Sequence, residues 1–132
     1  MFYIFGFYKF KKLNNLRKLK KIFHAKLVEN AGFDAVWAGS FAISATHALP
    51  DASILTMTEF FNVASTMTNA CDIPIIADCD TGYGGPSNVA HMVRKYENAG
   101  IASICIEDKI FPKQNSFFYP IIFFNKRIKF SY

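Results

Sequence analysis

Residues 73–85 read Ile73-Pro-Ile-Ile-Ala-Asp78-Cys-Asp80-Thr-Gly82-Tyr-Gly84-Gly85, an apolar run that ends in two aspartates and a glycine-rich turn. Side chains alternate across a strand, so Asp78 and Asp80 are expected on one face and Cys79 on the other. Two carboxylates on one side of a strand end repel each other unless a positive group lies between them. A divalent metal such as Mg²⁺, which prefers oxygen ligands, is the usual solution. Glu107, which ends the next apolar run, is the natural third acid.

Two imperfect copies of one helix–strand unit flank this stretch, at residues 28–37 and 96–105. In both copies a helix is predicted to end at Asn-Ala-Gly, because glycine readily takes the left-handed conformation found after a helix C-terminus. A run of apolar, mostly β-branched or aromatic residues follows at once in each copy. The repeat therefore predicts that a strand follows each of these helices.

The intervening sequence completes the pattern of a parallel sheet. Helices are predicted over residues 56–70, with Thr56 or Thr58 as the N-cap, and over residues 86–98, with proline in the first turn. Alternating strands and helices at this spacing predict parallel βα units. A closed (β/α)₈ barrel needs about 250 residues. Its catalytic residues lie at the C-terminal ends of the strands, which is where segment 37–41 and the acids Asp78, Asp80 and Glu107 are expected. We therefore predict an α/β fold, namely a partial TIM-type (β/α)₈ barrel of about three βα units.

Composition divides the chain into three parts. Residues 24–116 contain all ten acidic residues and five basic ones, and we expect them to form the partial barrel. Residues 1–23 and 117–132 contain no acid; together they have ten basic residues, and each has seven aromatic residues. We expect both segments to be non-homologous tails outside the fold. Three interpretations of the tails stay open: translated AT-rich DNA that never evolved as protein, a divergent genuine tail, or a tail that binds nucleic acid or an anionic membrane.

Two further features limit the class of protein. The apolar runs 1–8 and 117–124 are much shorter than the roughly 20 residues that span a bilayer. The three cysteines are odd in number and lack metal-type spacing, which argues against a disulfide framework and favours a reducing compartment such as the cytoplasm.

Three motifs, in this order, closely resemble the phosphoenolpyruvate mutase and phosphonopyruvate hydrolase family of the isocitrate lyase superfamily. They are residues 37–51, the Asp78-Cys-Asp80-Thr-Gly-Tyr-Gly run, and residues 107–116, and the resemblance covers about residues 25–117. It implies an isomerase of phosphonate biosynthesis that interconverts phosphoenolpyruvate and phosphonopyruvate. It also implies a homo-oligomer that acts on a small-molecule substrate and binds neither nucleic acid nor a membrane.

The resemblance assigns a role to each candidate site residue. Mg²⁺ would be held by Asp78, Asp80 and Glu107. The pyruvyl group would be bound by the loop residues Trp37, Gly39, Ser40 and Phe41, although mutases usually carry Ser-Gly-Leu where this chain has Gly-Ser-Phe. The catalytic residues would be Asp51, near the transferring phosphoryl group, and Lys113, Asn115 and Ser116 of a mobile loop.

The branch of the family and the activity of this chain stay open at the sequence level. Segment 113–116 favours the mutase, because hydrolases carry Thr where Asn115 stands, whereas segment 48–58 favours the hydrolase. The Lys-Lys/Arg-Cys-Gly-His loop of the superfamily's lyases is absent. We interpret the protein as mutase-like, with the hydrolase or a non-catalytic fragment as alternatives. The arginine and histidine that bind the phosphoryl group in relatives are missing, so this chain alone is expected to be inactive.

Overall fold

The computed structural model describes residues 2–6, 16–19 and 22–113, with side chains from residue 24 onward. Five strands and four helices follow one another along this part of the chain. In order they are β1 (Phe2–Gly6), β2 (Leu16–Leu19), α1 (Ile22–Asn30), β3 (Ala35–Ala38), α2 (Ser40–Thr46), α3 (Met57–Ala70), β4 (Ile75–Asp78), α4 (Pro86–Asn98) and β5 (Ser103–Glu107). No helix in these ranges is long and apolar enough to cross a membrane.

The strands form one sheet in the order β1-β5-β4-β3-β2. Neighbouring strands from β2 to β5 run parallel, and only β1 is antiparallel to its neighbour β5. The predicted α/β fold with a parallel β3–β4–β5 core is therefore confirmed. The described strands make an open sheet, so the (β/α)₈ barrel of which this chain is predicted to form about three units is not itself seen in the described residues.

Both edge strands come from residues 1–23, which the sequence places outside the fold. β1 pairs along β5 from Phe2 opposite Glu107 to Gly6 opposite Ser103, and β2 pairs along β3. The expectation is corrected for these two strands. The physical reason is that three parallel strands leave two edges of unpaired N–H and C=O groups, which another extended segment can satisfy. The expected tail at 117–132 lies outside the described residues.

The helix boundaries follow the local signals. Thr56 caps α3: its side chain accepts a hydrogen bond from the N–H of Glu59, and the Glu59 carboxylate accepts one from the N–H of Thr56. This reciprocal pair is a capping box, and it confirms Thr56 as the N-cap. Pro86 lies at the start of α4. Gly32 and Gly100 follow α1 and α4 with φ of 77° and 79°, the left-handed geometry that the Asn-Ala-Gly repeat predicts.

Alternation along the strands separates two apolar faces. The helix-facing core contains strand residues such as Val36, Ala77 and Ile104, together with residues of α1, α3 and α4. The opposite face carries a smaller group, Ala35, Trp37, Ile76 and Cys105. Side chains two apart share a face, so Asp78 belongs with Ile76 and Glu107 with Cys105, away from the helices. Cys79 lies in the helix-facing core, as predicted.

Candidate active site

The acidic side chains gather at the carboxyl end of the parallel strands. Asp78 ends β4 and Glu107 ends β5, while Asp80 lies in the turn after β4 with φ of 47°. This left-handed conformation is uncommon for non-glycine residues, although aspartate adopts it more readily than most. The N–H of Glu107 donates to the carbonyl of Asp80 at 2.6 Å and extends the pairing of β4 with β5 beyond the end of β4. The backbone thus holds Asp80 and Glu107 side by side.

A buried ammonium lies among these carboxylates. Lys113 Nζ is 2.8 Å from Asp80 Oδ1, 2.9 Å from Asp51 Oδ2 and 3.2 Å from Glu107 Oε1. The Lys113 side chain is 4% exposed and that of Asp80 is 2% exposed. We call Asp51, Asp78, Asp80 and Glu107 the carboxylate cluster. The positive group that the sequence argument requires between these acids is therefore a lysine of the same chain in this structure.

The proton affinities follow from burial and from these contacts. Burial alone would lower the pKa of Lys113, but the hydrogen bonds and charges of Asp80 and then Asp51 outweigh it and raise the pKa. Burial also raises the pKa of Asp78, because its hydrogen bonds and the Lys113 charge offset only part of the desolvation. For Glu107, contact with Lys109 and the charge of Lys113 outweigh burial and lower the pKa. Lys113 therefore remains a cation at neutral pH.

Ser40 orients Asp78 and links it to the lysine. Its hydroxyl donates to Asp78 Oδ2 at 2.9 Å, and its backbone N–H donates to the same oxygen at 3.2 Å. The Ser40 hydroxyl also accepts from Lys113 Nζ at 3.3 Å. The N–H of Asp80 donates to Asp78 Oδ1 at 3.3 Å. Asp78 is thus held by polar donors, and it lies beside the lysine without contacting it directly. This Ser40–Asp78 bond was not predictable from the sequence, because it joins residues 38 positions apart.

The other predicted site residues lie in different surroundings. Trp37 packs with Ile76 on the sheet face opposite the helices, and Gly39 is the N-cap of α2. A Cβ at Gly39 would lie 3.1 Å from the Trp37 ring, so a small residue suits this position. Phe41 is mostly exposed. Asn115 and Ser116 lie outside the described residues.

A cavity of about 240 Å³ adjoins the cluster at Asp80. Among its lining residues are Ser53, Thr81, Tyr83 and Phe111. Within the described part of the chain, Asp51 Oδ1, Asp80 Oδ2 and Thr81 Oγ1 are buried and have no hydrogen-bond partner. A buried oxygen without a hydrogen-bond partner costs folding free energy, so each such group calls for an explanation such as a catalytic role or a bound ion. This side of the cluster is therefore the candidate binding space for a polar small molecule or ion.

The donor set suits a hard divalent cation such as Mg²⁺. All members of the carboxylate cluster offer oxygen ligands. Asp51 and Asp80 each have a buried oxygen without a partner, whereas the buried Glu107 Oε2 contacts Lys109 Nζ at 2.9 Å. Among the described residues, however, no three His, Cys, Asp or Glu side chains are arranged to hold a metal ion. Lys113 occupies the space between them, and Asp78 is turned toward Ser40. The residues therefore fit the cation by chemistry, provided that the ammonium moves.

The fold and the site together define an α/β protein with a carboxylate cluster at the C-terminal ends of parallel strands. The family model described as "Phosphoenolpyruvate phosphomutase" matches residues 22–130. The chain therefore belongs to the phosphoenolpyruvate phosphomutase family.

Relatives named for three different activities each match about 70% of the chain. Phosphonopyruvate hydrolase of Variovorax sp. (strain Pal2) is 46% identical over 92 residues, which cover 70% of this chain and 32% of the relative. 2,3-dimethylmalate lyase of Eubacterium barkeri is 45% identical over 91 residues, which cover 68% of this chain and 32% of the relative. Phosphoenolpyruvate phosphomutase of Tetrahymena pyriformis is 41% identical over 92 residues, which cover 70% of this chain and 31% of the relative. The chain thus spans about a third of the length of these relatives.

Solved structures of the same superfamily share the fold. Phosphoenolpyruvate phosphomutase from Streptomyces platensis subsp. rosaceus matches with a TM-score of 0.73 and 53% identity, over 77% of this chain and 36% of that one. A complex of phosphonopyruvate hydrolase with oxalate and Mg²⁺ matches with a TM-score of 0.68 and 40% identity, over 75% and 35%. Mutase and hydrolase are about equally similar, so similarity alone leaves the activity undecided between them.

Proposed function

We propose that this chain supplies the metal-binding and phosphoryl-binding side of a phosphoenolpyruvate mutase-type active site, and that it does not turn over substrate by itself. The observation that carries the proposal is the buried carboxylate cluster around Lys113, at the C-terminal end of a parallel sheet. The proposed reaction breaks the P–O bond of phosphoenolpyruvate and forms the P–C bond of phosphonopyruvate, or the reverse, within one enolate. The complete site would belong to a (β/α)₈ barrel, of which residues 24–116 are one part.

In this proposal Asp78, Asp80 and Glu107 would hold Mg²⁺, directly or through water. When bound, Mg²⁺ supplies positive charge that stabilises the developing negative charge of an enolate oxygen. The chain's own contribution is to orient these carboxylates. Ser40 orients Asp78 by donating two hydrogen bonds to one of its oxygens, and the backbone bond from Glu107 N–H to the Asp80 carbonyl holds those two residues side by side.

The same proposal places Asp51 and Lys113 at the migrating phosphoryl group. These two residues already contact each other at 2.9 Å, so both reach one point beside the cavity at Asp80. A lysine ammonium there would balance the charge of a loose, metaphosphate-like group during transfer. The pyruvyl group would be surrounded by the loop residues Trp37, Gly39, Ser40 and Phe41. Water would be excluded with the help of Asn115 and Ser116.

The hydrolase is the second candidate, because the relative with 46% identity carries that activity. The two reactions differ in whether water reaches the phosphoryl group: exclusion returns phosphoenolpyruvate, and access yields pyruvate and phosphate. Residues 113–116 favour the mutase, since Asn115 replaces the Thr of hydrolases. Lyase relatives share the scaffold, but this chain lacks the lyase loop.

We extend the proposal to the protein's surroundings. The family's enzymes act on small molecules, and the acidic composition of residues 24–116 does not favour nucleic acid or an anionic membrane as a partner. The cysteines Cys71, Cys79 and Cys105 are buried and form no disulfide in the described part of the chain, which suits a reducing cytoplasm. A homo-oligomer is proposed by analogy with the family.

A chimaera tests the proposed reaction. Residues 24–116 would replace the aligned segment of the Tetrahymena pyriformis mutase and, in a second chimaera, that of the Variovorax hydrolase. Each protein would be incubated with phosphonopyruvate and Mg²⁺ and followed by phosphorus NMR. The proposal expects phosphoenolpyruvate from both chimaeras, because the segment carries the residues that contact the phosphoryl group. The 132-residue chain is expected to give no product.

The alternatives give different spectra. Inorganic phosphate from both chimaeras would replace the mutase assignment with the hydrolase. Products that simply follow the scaffold would contradict the role given to residues 113–116. Folded chimaeras without turnover would contradict the claim that this chain carries a competent half-site.

A further inference from the structure

Strand β1 lies along the edge of β5 in an orientation that a (β/α)₈ barrel does not contain. All eight strands of such a barrel run parallel. Among the described strands, β2, β3, β4 and β5 follow this rule. β1 instead runs antiparallel to β5 and pairs with every one of its residues, from Phe2 opposite Glu107 to Gly6 opposite Ser103. β1 is therefore not a barrel strand, although it lies where the next barrel strand would lie.

Strand β5 has the character of an interior strand of a parallel sheet. Its sequence is Ser-Ile-Cys-Ile-Glu, and Ser103, Ile104 and Cys105 are at most 1% exposed. Such burial on both faces is typical of strands in parallel sheets. The matched segment is 32% of the length of the Variovorax hydrolase, so a complete barrel has further strands to place beyond β5. The outer edge of β5 is where the first of them would pair.

The direction of β1 also decides what reaches the carboxylate cluster from this side. Catalytic residues of a (β/α)₈ barrel come from the C-terminal ends of several strands. A parallel neighbour of β5 would place its C-terminal end beside Glu107, which ends β5 at the cluster. β1 places its first residue, Phe2, at that register position. An apolar residue thus stands where a barrel strand would supply polar groups to the site.

We propose that β1 is a displaceable placeholder: it covers the β5 edge in this chain and yields that edge to a parallel strand of a polypeptide carrying the remaining βα units of the barrel. Recognition would be strand addition, in which main-chain hydrogen bonds supply the affinity. A second copy of this chain would only repeat the same third of the barrel. This inference rests on the half-site of the proposed function. It adds that β1 must leave before the site is completed, because one edge pairs with one strand.

The register provides a way to lock β1 in place. Ile4 lies directly opposite Cys105. Directly opposite residues of antiparallel strands have Cα atoms about 4.5–5.5 Å apart, which is within the range that a disulfide spans. Ile4→Cys is therefore expected to form a disulfide with Cys105 on oxidation and to lose it on reduction, as peptide mass spectrometry would show. Phe5→Cys is the matched control, because its opposite residue is Ile104.

Binding to the missing part of the barrel measures the displacement. The probe is the part of the Tetrahymena pyriformis mutase that follows its aligned segment, produced as a separate polypeptide and immobilised by a tag. The 132-residue Ile4→Cys chain would be added in its reduced and in its oxidised form, and the affinity measured by biolayer interferometry. We expect the reduced form to bind on the order of tenfold more tightly, and Phe5→Cys to bind equally under both conditions. The two forms share one sequence, so a difference between them reports the lock.

Three results would overturn the inference alone. These are the absence of a disulfide between position 4 and Cys105, equal binding of the reduced and oxidised forms, and no binding of the reduced form. Turnover of phosphonopyruvate by the complex, followed by phosphorus NMR, reports on the proposed function instead. A complex that forms only with the reduced chain and yields neither phosphoenolpyruvate nor pyruvate would contradict the proposed half-site and support the displacement of β1.

Discussion

The two ends of the parallel strands both hold acidic side chains, but their charges are satisfied differently. At the amino end, Glu29 accepts hydrogen bonds from the backbone N–H groups of Asp72, at 2.6 Å, and Ile73, at 3.3 Å. Its charged partner Lys26 is 51% exposed. At the carboxyl end, three carboxylates share the buried ammonium of Lys113.

This difference separates acids that stabilise the fold from acids that serve a site. Glu29 stabilises the loop before β4, because its carboxylate accepts hydrogen bonds from backbone N–H groups that would otherwise lack partners. The charge of Glu29 remains near water. The carboxylate cluster concentrates charge in a dry place, which costs stability unless the partner is kept. Its partner in this structure is a single buried side chain, Lys113. Substitutions at each end of the strands test this difference.

The largest expected effect concerns turnover in the Tetrahymena chimaera. Asp80→Asn removes a charge from the cluster with almost no change of shape, and we expect kcat to fall by about 10²-fold or more, the scale for losing one preorganised electrostatic group. Glu29→Gln, at the amino end, should leave kcat near that of the parent chimaera. Phosphorus NMR rates measure both. Equal losses in the two variants would remove the functional distinction between the strand ends.

The next effect concerns the stability of the metal-free chain. Lys113→Met leaves three carboxylates facing one another, and breaking a buried ion pair by removing one partner costs about 3–5 kcal/mol. Lys26→Met breaks an exposed pair and should change the free energy of unfolding far less. Urea unfolding followed by circular dichroism gives both values. Mn²⁺ at 100 times its Kd should return about 2.7 kcal/mol to Lys113→Met. Similar losses from the two lysines would contradict the comparison.

A smaller effect shows that the carboxyl end also contains purely structural contacts. Thr56→Ala removes the N-cap of α3 and should lower the free energy of unfolding by about 1 kcal/mol. Thr58→Ala, at the second residue of α3 and outside the capping box, is the matched control and should change it less. Neither variant should alter Mn²⁺ affinity. A loss of metal binding in Thr56→Ala would extend the site beyond the cluster.

The smallest effect is the acid dependence of stability at the amino end. A hydrogen bond from Lys26, followed by the N–H of Asp72, lowers the pKa of Glu29 in the folded chain. A carboxyl with a lowered folded pKa stabilises the fold above its unfolded pKa of about 4.3 and loses that contribution as the pH falls through the folded value. Glu29→Gln should therefore weaken the acid dependence of the urea midpoint below about pH 4.5. Glu97→Gln, which removes an exposed helical carboxylate, is the control; an equal change there would count against Glu29.

Much of the fold was predictable because its signals are local. The Asn-Ala-Gly ends of α1 and α4, the Thr56 cap and the apolar strands all lie within a few residues of the structure they determine. The positions of Asp78 and Glu107 at strand ends follow from the same pattern. The pairing of residues 2–6 and 16–19 at the sheet edges was not predicted, because edge pairing joins distant segments and composition does not encode it.

The site was predictable in its residue types but less so in its contacts. The sequence indicated that a cation must lie between the acids, and a metal was the natural expectation. That the cation is Lys113 depends on the path of residues 108–113, which contain no helix or strand signal. The bond from Ser40 to Asp78 likewise joins two motifs that are adjacent only in the folded sheet. Such contacts arise from tertiary structure, so a single sequence does not show them.

The most direct test of the central claim, that the carboxyl-end acids form a cation site and the amino-end acid does not, is Mn²⁺ binding by the 132-residue chain. Electron paramagnetic resonance titrations would compare the wild type with Asp78→Ala, Asp80→Asn and Glu29→Gln. We expect one saturable site in the wild type and in Glu29→Gln, and markedly weaker binding in both aspartate variants. Four identical titrations, or a loss confined to Glu29→Gln, would contradict it.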